Sequence, residues 1–374
     1  MIPILALALQ AQTGAFIVRL GNDTLLVEQY RRTATTLEGD QVARSARATS
    51  VRHFTAAFDR HGGVTRYELV GRVAARPDAP PQTLRVTFDA DTAVVTLVSG
   101  DSSHSERLQL QGGAVPYVDR SYALVELLTR QARAVGRLPY VAPLLSLGSL
   151  SQVAATVSRG TGDSVVVVIG DDPPVRVRVD SGGTILGASA VGTPEQFTVE
   201  RVAAVDIGAI ARQFATRPLG QLSPPDSVRA TVAGAQIAVD YSRPAMRGRT
   251  IFGVVVPWNE VWRTGANEAT RFTTSADLVL GGKTVPKGSY TLWTLPSPSG
   301  WKLIVNRQTR APNGALLWGT DYSPDSDVVR VDMKVEPLQQ PVDRFTIALL
   351  PQGKGGLLTL EWEKTRASVT VERK

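Results

Sequence analysis

Between Val328 and Val335 the chain alternates at period two: Val329, Val331, Met333 and Val335 fall on one face, Val328, Arg330, Asp332 and Lys334 on the other. One face is apolar and the other largely charged, the pattern of an antiparallel strand packed on one side and wet on the other. A helix would spread both sets around its axis. Similar runs recur along the chain, and 33 glycines and 23 prolines supply the turns between them. The expected fold class is mostly β.

At 374 residues and 43% hydrophobic content the chain is long enough for two domains. From residue 14 to 205 it reads as a meander, with strand-like runs at 15–20, 24–30, 50–59, 65–73, 83–89, 93–98, 106–111, 164–169, 175–179 and 198–202. Turns are predicted at 59–63, 162–163 and 181–183, where glycine makes positive φ cheap. One helix interrupts the series. Residues 119–135 put Tyr122, Val125, Leu128 and Ala132 on one stripe and stop at Gly136. The N-terminal domain is therefore expected to be a curved antiparallel sheet, half-barrel-like, with helix 119–135 across its concave face; the pattern resembles the half-barrels of envelope lipid carriers. Residues 138–157 can pack as ordinary core or line an apolar cavity.

Residues 206–222, with a short helical stretch at 207–214 followed by Pro218 and Gly220, form the expected linker. Beyond it, runs at 227–233, 235–240, 251–256, 270–274, 277–281, 289–295, 301–306, 327–335, 344–349, 357–362 and 368–372 predict a C-terminal β-sandwich over 223–374, jelly-roll-like. Its core is expected to draw on Trp293, Trp301, Val329, Val331, Phe345, Ile347, Leu358, Leu360 and Trp362.

The chain has no cysteine, which excludes disulfides, thiolate nucleophiles and zinc–thiolate centres. No run approaches the length of apolar sequence that a membrane-spanning helix needs. The apolar run Met1–Leu9, with Ala6 and Ala8 before Gln10-Ala11-Gln12, reads as the end of a signal peptide without its basic leader. Residues 1–13 are thus expected to be a truncated signal and the protein to be secreted or periplasmic; the competing reading is a first β-strand. Net charge is +7, of which residues 206–374 hold +6 and residues 1–205 only +1. The surplus forms no Lys/Arg run of nucleic-acid type, so nucleic acid is not an expected partner.

Familiar catalytic patterns are missing. His53, His61 and His104 have no metal-ligand spacing, and D-Y-S-P-D-S-D at 321–327 lacks the glycine and terminal glutamate of a calcium loop. There is no nucleophile elbow, phosphate loop or dinucleotide fingerprint. Neither a metal nor a cofactor is expected.

The densest chemistry lies at 241–268, Y-S-R-P-A-M-R-G-R-T-I-F-G-V-V-V-P-W-N-E-V-W-R-T-G-A-N-E. Together with G-G-K-T-V-P-K-G-S-Y-T-L-W-T-L-P at 281–296 and W-K-L-I-V-N at 301–306, this segment resembles a bacterial domain-of-unknown-function family, number twenty-nine-eleven, over about residues 223–372. The resemblance implies no activity and assigns no role to any residue. From the residues themselves, Arg243, Arg249 and Arg263 offer forked donors for anionic or hydroxyl groups, Tyr241, Trp258 and Trp262 offer flat faces, and Asn267 and Glu268 offer orienting polar groups. These eight are the candidate ligand-binding residues, for a small polar or carbohydrate-like ligand. Equally, Arg263 and Glu268 can brace the Thr264-Gly265-Ala266 turn while the aromatics cap the sandwich. Two further readings stand beside binding: a glycoside-type hydrolase using Glu260 and Glu268, which requires two carboxyls facing one cleft, and a structural or interaction protein of the cell envelope.

Overall fold

The computed structural model describes residues 11–193 and 195–374; most of the signal-like run 1–13 lies outside them. The protein is mostly β, and it divides into two compact units, 1–220 and 221–374.

Unit 1 opens with β1 Gln12–Leu20, β2 Asp23–Arg32, β3 Thr36–Arg44, β4 Thr49–Phe58, β5 Val64–Val73, β6 Gln82–Asp89, β7 Thr92–Ser99 and β8 Ser102–Gln109. The short β9 (Val115–Tyr117) leads into helix α1 (Tyr122–Val135). A second run follows: β10 Tyr140–Ser146, β11 Ser151–Arg159, β12 Ser164–Ile169, β13 Val175–Val179, β14 Ile185–Ser189 and β15 Phe197–Val202. Among the described residues these make one fifteen-stranded sheet in which β1 lies between β2 and β15 and the edges are β8 and β9. The sheet is not closed, yet β9 at its edge touches β5 in the other half, so the sheet curves around α1.

Two buried glutamates fasten α1 to this sheet. The helix has no capping bond from its own N-cap, Ser121; instead Glu28 of β2 reaches up, accepting from the Ala123 N–H at 2.7 Å, from the Ser121 hydroxyl at 2.9 Å and from the Gln41 amide at 2.9 Å. One turn on, Glu126 accepts from the Tyr30 hydroxyl, the Ile185 N–H and the guanidinium groups of Arg130 and Arg201. Such a carboxylate is tolerable inside only because every oxygen is partnered. The predicted stripe of Tyr122, Val125, Leu128 and Ala132 is buried, and so are Leu124 and Leu127, because the curved sheet covers more of the helix than one face. Gly136, at φ 70°, ends it with N–H bonds to Ala132 and Arg133 carbonyls.

Residues 138–157 fold into the β10–β11 hairpin and pack as core through Ala142, Leu144, Leu145, Ala155 and Val157. The expected linker is partly structured. Helix α2 (Ile207–Phe214), capped by Asp206, contacts β2, β3 and β4, with Thr49 bonded to the Phe214 carbonyl and Arg44 over the Phe214 ring at 4.2 Å.

Unit 2 contains β16 Pro225–Val232, β17 Ala235–Ser242, β18 Thr270–Thr274, β19 Leu278–Leu280, β20 Lys283–Val285, β21 Gly288–Ser297, β22 Gly300–Asn306, β23 Asp327–Gln352 and β24 Gly355–Arg373. They form one nine-stranded sheet in the order β16-β17-β18-β21-β22-β23-β24-β19-β20. β16 also touches β23 and β24, from which the sheet order separates it, so the sheet folds over itself into the two layers of a sandwich. The fold occurs where Pro337 and Pro341 cannot donate to a ladder and the β23–β24 register breaks twice, between Pro337 and Thr346. The runs at 327–335 and 344–349 are therefore one bent strand, as are 357–362 and 368–372.

Residues 251–256 are not a strand. The Ile251 carbonyl accepts from the N–H groups of Val254, Val255 and Val256, a tight turn that drops Ile251, Phe252 and Val256 into the main core. That core contains the expected Trp301, Val331, Phe345, Ile347, Leu358, Leu360 and Trp362, with Val329 packed against it. Trp293 is buried on the opposite side of the sheet, with Ala269, Ile304 and Leu317.

Candidate functional site

The 241–268 segment joins the end of β17 to the start of β18, and its side chains separate into three groups. Trp262 belongs to the core: it stacks on Trp362 at 5.8 Å, meets Phe345 edge-on at 5.0 Å and donates its Nε1–H to the Gly265 carbonyl. Trp258 lies at the periphery, stacked on Phe252 at 6.0 Å and partly exposed.

The arginines are held by the protein. Arg243 donates to the Phe345 carbonyl and the Thr346 hydroxyl and pairs with Asp226 at 3.1 Å. Arg249 donates to the carbonyls of Met246 and Ala245, and Arg247 is also engaged. Arg263 donates to the Asn267 carbonyl at 3.2 Å and lies so close over Gly319 that no side chain fits there. Its partner is thus a backbone oxygen and not Glu268. Burial lowers the pKa of Arg249 and Arg263, although both retain charge at any physiological pH.

Tyr241 and Glu268 come together at an open cleft of about 470 Å³, which Asp226, Asp240, Arg271 and Leu316 also line. The cleft forms where β16 begins and β17 ends, because Pro225 pairs with Ser242 and Asp226 with Tyr241 at that margin of the sheet. The Tyr241 ring is buried; its hydroxyl accepts from the Ile347 N–H at 3.0 Å and lies 3.4 Å from Asp226, and burial pushes its pKa up. Asp240 is shared between Arg229 and Arg271. Glu268 is exposed, and its carboxylate forms no hydrogen bond or ion pair among the described residues. Asn267 is exposed at φ 60° beside it, its carbonyl committed to Arg263 and to the Gly319 N–H. Glu260, also exposed, does not line the cleft.

Sequence reading missed Trp318. It bridges Glu268 as an antiparallel pair, which sets the two side chains on one face, and it remains 47% exposed. A solvated indole beside an uncommitted carboxylate is a polar stacking platform. Asp226 and Arg271 were missed as well, since nothing in their local sequence distinguishes them from ordinary strand charges.

Residues 223–371 match the DUF2911 family model, described as a protein of unknown function. The DUF2911 match coincides with unit 2, includes the whole cleft and leaves unit 1 unassigned. No curated protein matches the chain. A crystal structure of a DUF1089 family protein from Pseudomonas aeruginosa is similar at 13% identity and a TM-score of 0.33, covering 44% of this chain and 89% of that one.

Proposed function

We propose that the protein is a binding protein for a small polar, carbohydrate-like ligand, taken up in unit 2 at the cleft lined by Tyr241 and Glu268, with Trp318 beside Glu268. The observation that carries this reading is that Glu268, which lines an open cleft, is paired with an exposed Trp318. A sugar ring offers an apolar C–H face and a fringe of hydroxyls; the indole suits the first, while Glu268, Asp240 and Arg271 suit the second. Ligand sites commonly combine a concave surface with a few convergent polar groups in this way. Of the eight candidate residues, Tyr241 and Glu268 act directly in this reading, and Arg243, Arg263 and Asn267 shape the loop that presents them.

A panel of mono- and oligosaccharides, titrated calorimetrically into the full chain, tests the proposal. At least one should bind and shift tryptophan emission; Trp318→Ala should weaken it by roughly tenfold, in the range of one lost stacking face, and Glu268→Gln by a similar factor. Absence of saccharide binding, or binding that both substitutions leave intact, would refute it. We also propose an exported setting, supported by the Ala6 and Ala8 spacing at the end of an apolar run; retention of the protein in the cytoplasmic fraction on expression in its native host would overturn that.

A further inference from the structure

We propose that unit 1 holds a separate binding site: a cavity beneath the first two turns of α1 that accepts an amphiphilic cation, a protonated amine carried on an apolar body.

The cavity has a volume of about 250 Å³ and lies wholly within unit 1. Its floor is apolar. Val125 of α1, Val167 of β12, Val177 of β13 and Phe197 beside them are all buried. Three of these four are valines, whose short side chains leave the space under the helix unfilled, whereas protein interiors are normally packed without voids of this size. An apolar hollow of this kind favours an apolar body and penalises a bare, hydrated ion.

The rim sets the charge. Asp119, Asp172 and Glu195 line it against one cation, Arg120, and Arg120 approaches Asp119 and Glu195 no closer than 3.8 Å. Three carboxylates against one loosely paired guanidinium leave the mouth negative. The positive N-terminal end of α1 does not offset this, because the Ala123 N–H and the Ser121 hydroxyl are already bonded to Glu28. Burial and mutual repulsion raise the pKa of Asp172 and Glu195, the strain that a cation at the rim would relieve. A carboxylate-headed chain would add to it.

The probes are straight-chain primary amines from hexylamine to decylamine, titrated into the full chain by calorimetry at neutral pH, with alkanoates and alkanols of equal length as controls. Amine affinity should rise about fourfold per added methylene until the cavity is full, and the matching alkanoate should bind at least about tenfold more weakly. Tryptophan emission should stay unchanged, since all six tryptophans lie beyond residue 221. Val167→Trp, which fills the floor, should abolish binding. The rim pair Asp172→Asn with Glu195→Gln should keep the chain-length dependence and lose the preference for amine over alkanol. Failure of every amine to bind, an alkanoate that binds as well as its amine, or an amine preference that survives the rim substitutions overturns the proposal. The rim variants, being outside the core, decide the question even if Val167→Trp does not fold. Glu268→Gln should leave amine binding intact; its loss there would place the site in unit 2 and also overturn the proposal.

Discussion

At the scale of single residues, Glu28 is the group whose environment is most at odds with its chemistry. It is fully buried, and desolvation raises its pKa from 4.5 to about 7 against the opposing effect of the Gln41, Ala123 and Ser121 donors. A carboxyl whose folded pKa lies above its unfolded value favours folding when protonated. Its contribution is therefore complete below about pH 4.5 and is lost as pH rises through about 7, a change on the order of 3 kcal/mol. The protein should accordingly melt at lower temperature at pH 8 than at pH 5. Glu28→Gln retains an acceptor for the Ala123 N–H and cannot ionise, so its melting temperature should fall much less over the same interval. Parallel curves for the two proteins in scanning calorimetry would assign the pH dependence to other groups.

At the scale of elements, α1 is positioned from outside itself, by the Glu28 carboxylate of β2 and by a turn that comes within contact distance of it. Gly183, at φ +83°, sits where an added Cβ would lie 2.6 Å from the Thr129 carbonyl oxygen and 2.8 Å from the Arg130 Cα, both backbone atoms. Its own carbonyl accepts from the Thr129 hydroxyl at 2.6 Å. Gly183→Ala thus combines a strained φ with a clash that no side-chain rotation relieves. We expect a loss of about 2–4 kcal/mol and faster hydrogen exchange at the amides of α1, with β16–β24 unaffected. Unchanged exchange in α1 would mean that the turn yields and not the helix.

At the scale of the molecule, the division at residue 220 makes unit 2 a candidate for independent folding. Residues 221–374, expressed alone, should give a soluble β-type circular dichroism spectrum and a cooperative melt. In that fragment Trp362→Ala should cost about 3–5 kcal/mol, because the ring is buried and stacked on Trp262. A fragment that remains unfolded would show that unit 2 depends on the rest of the chain. Tryptophan emission reports on unit 2 alone, so in the intact protein a far-ultraviolet transition without a matching emission change marks the unfolding of unit 1.

Period-two alternation and turn residues were enough to determine a mostly β chain, the course of α1 and most of the sandwich core, because each of those follows from neighbours within a few residues. The sequence pattern failed where inward positions answer to distant partners. β3 reads as polar because Gln41 serves Glu28 and because Gly39 must stay bare for the Phe54 ring and the Gln29 carbonyl, and residues 251–256 read as a strand although their carbonyl partner is their own Ile251. The candidate site divides in the same way. The concentration of arginines and aromatics at 241–268 was legible, but which of them face solvent was not: backbone carbonyls of β23 and nearby loops claim the arginines, the core claims Trp262, and Glu268 meets Trp318 only because an isolated bridge links segments fifty residues apart. Side-chain type is a local property, whereas freedom from protein partners is set by packing across the whole unit, and only the tertiary structure decides it.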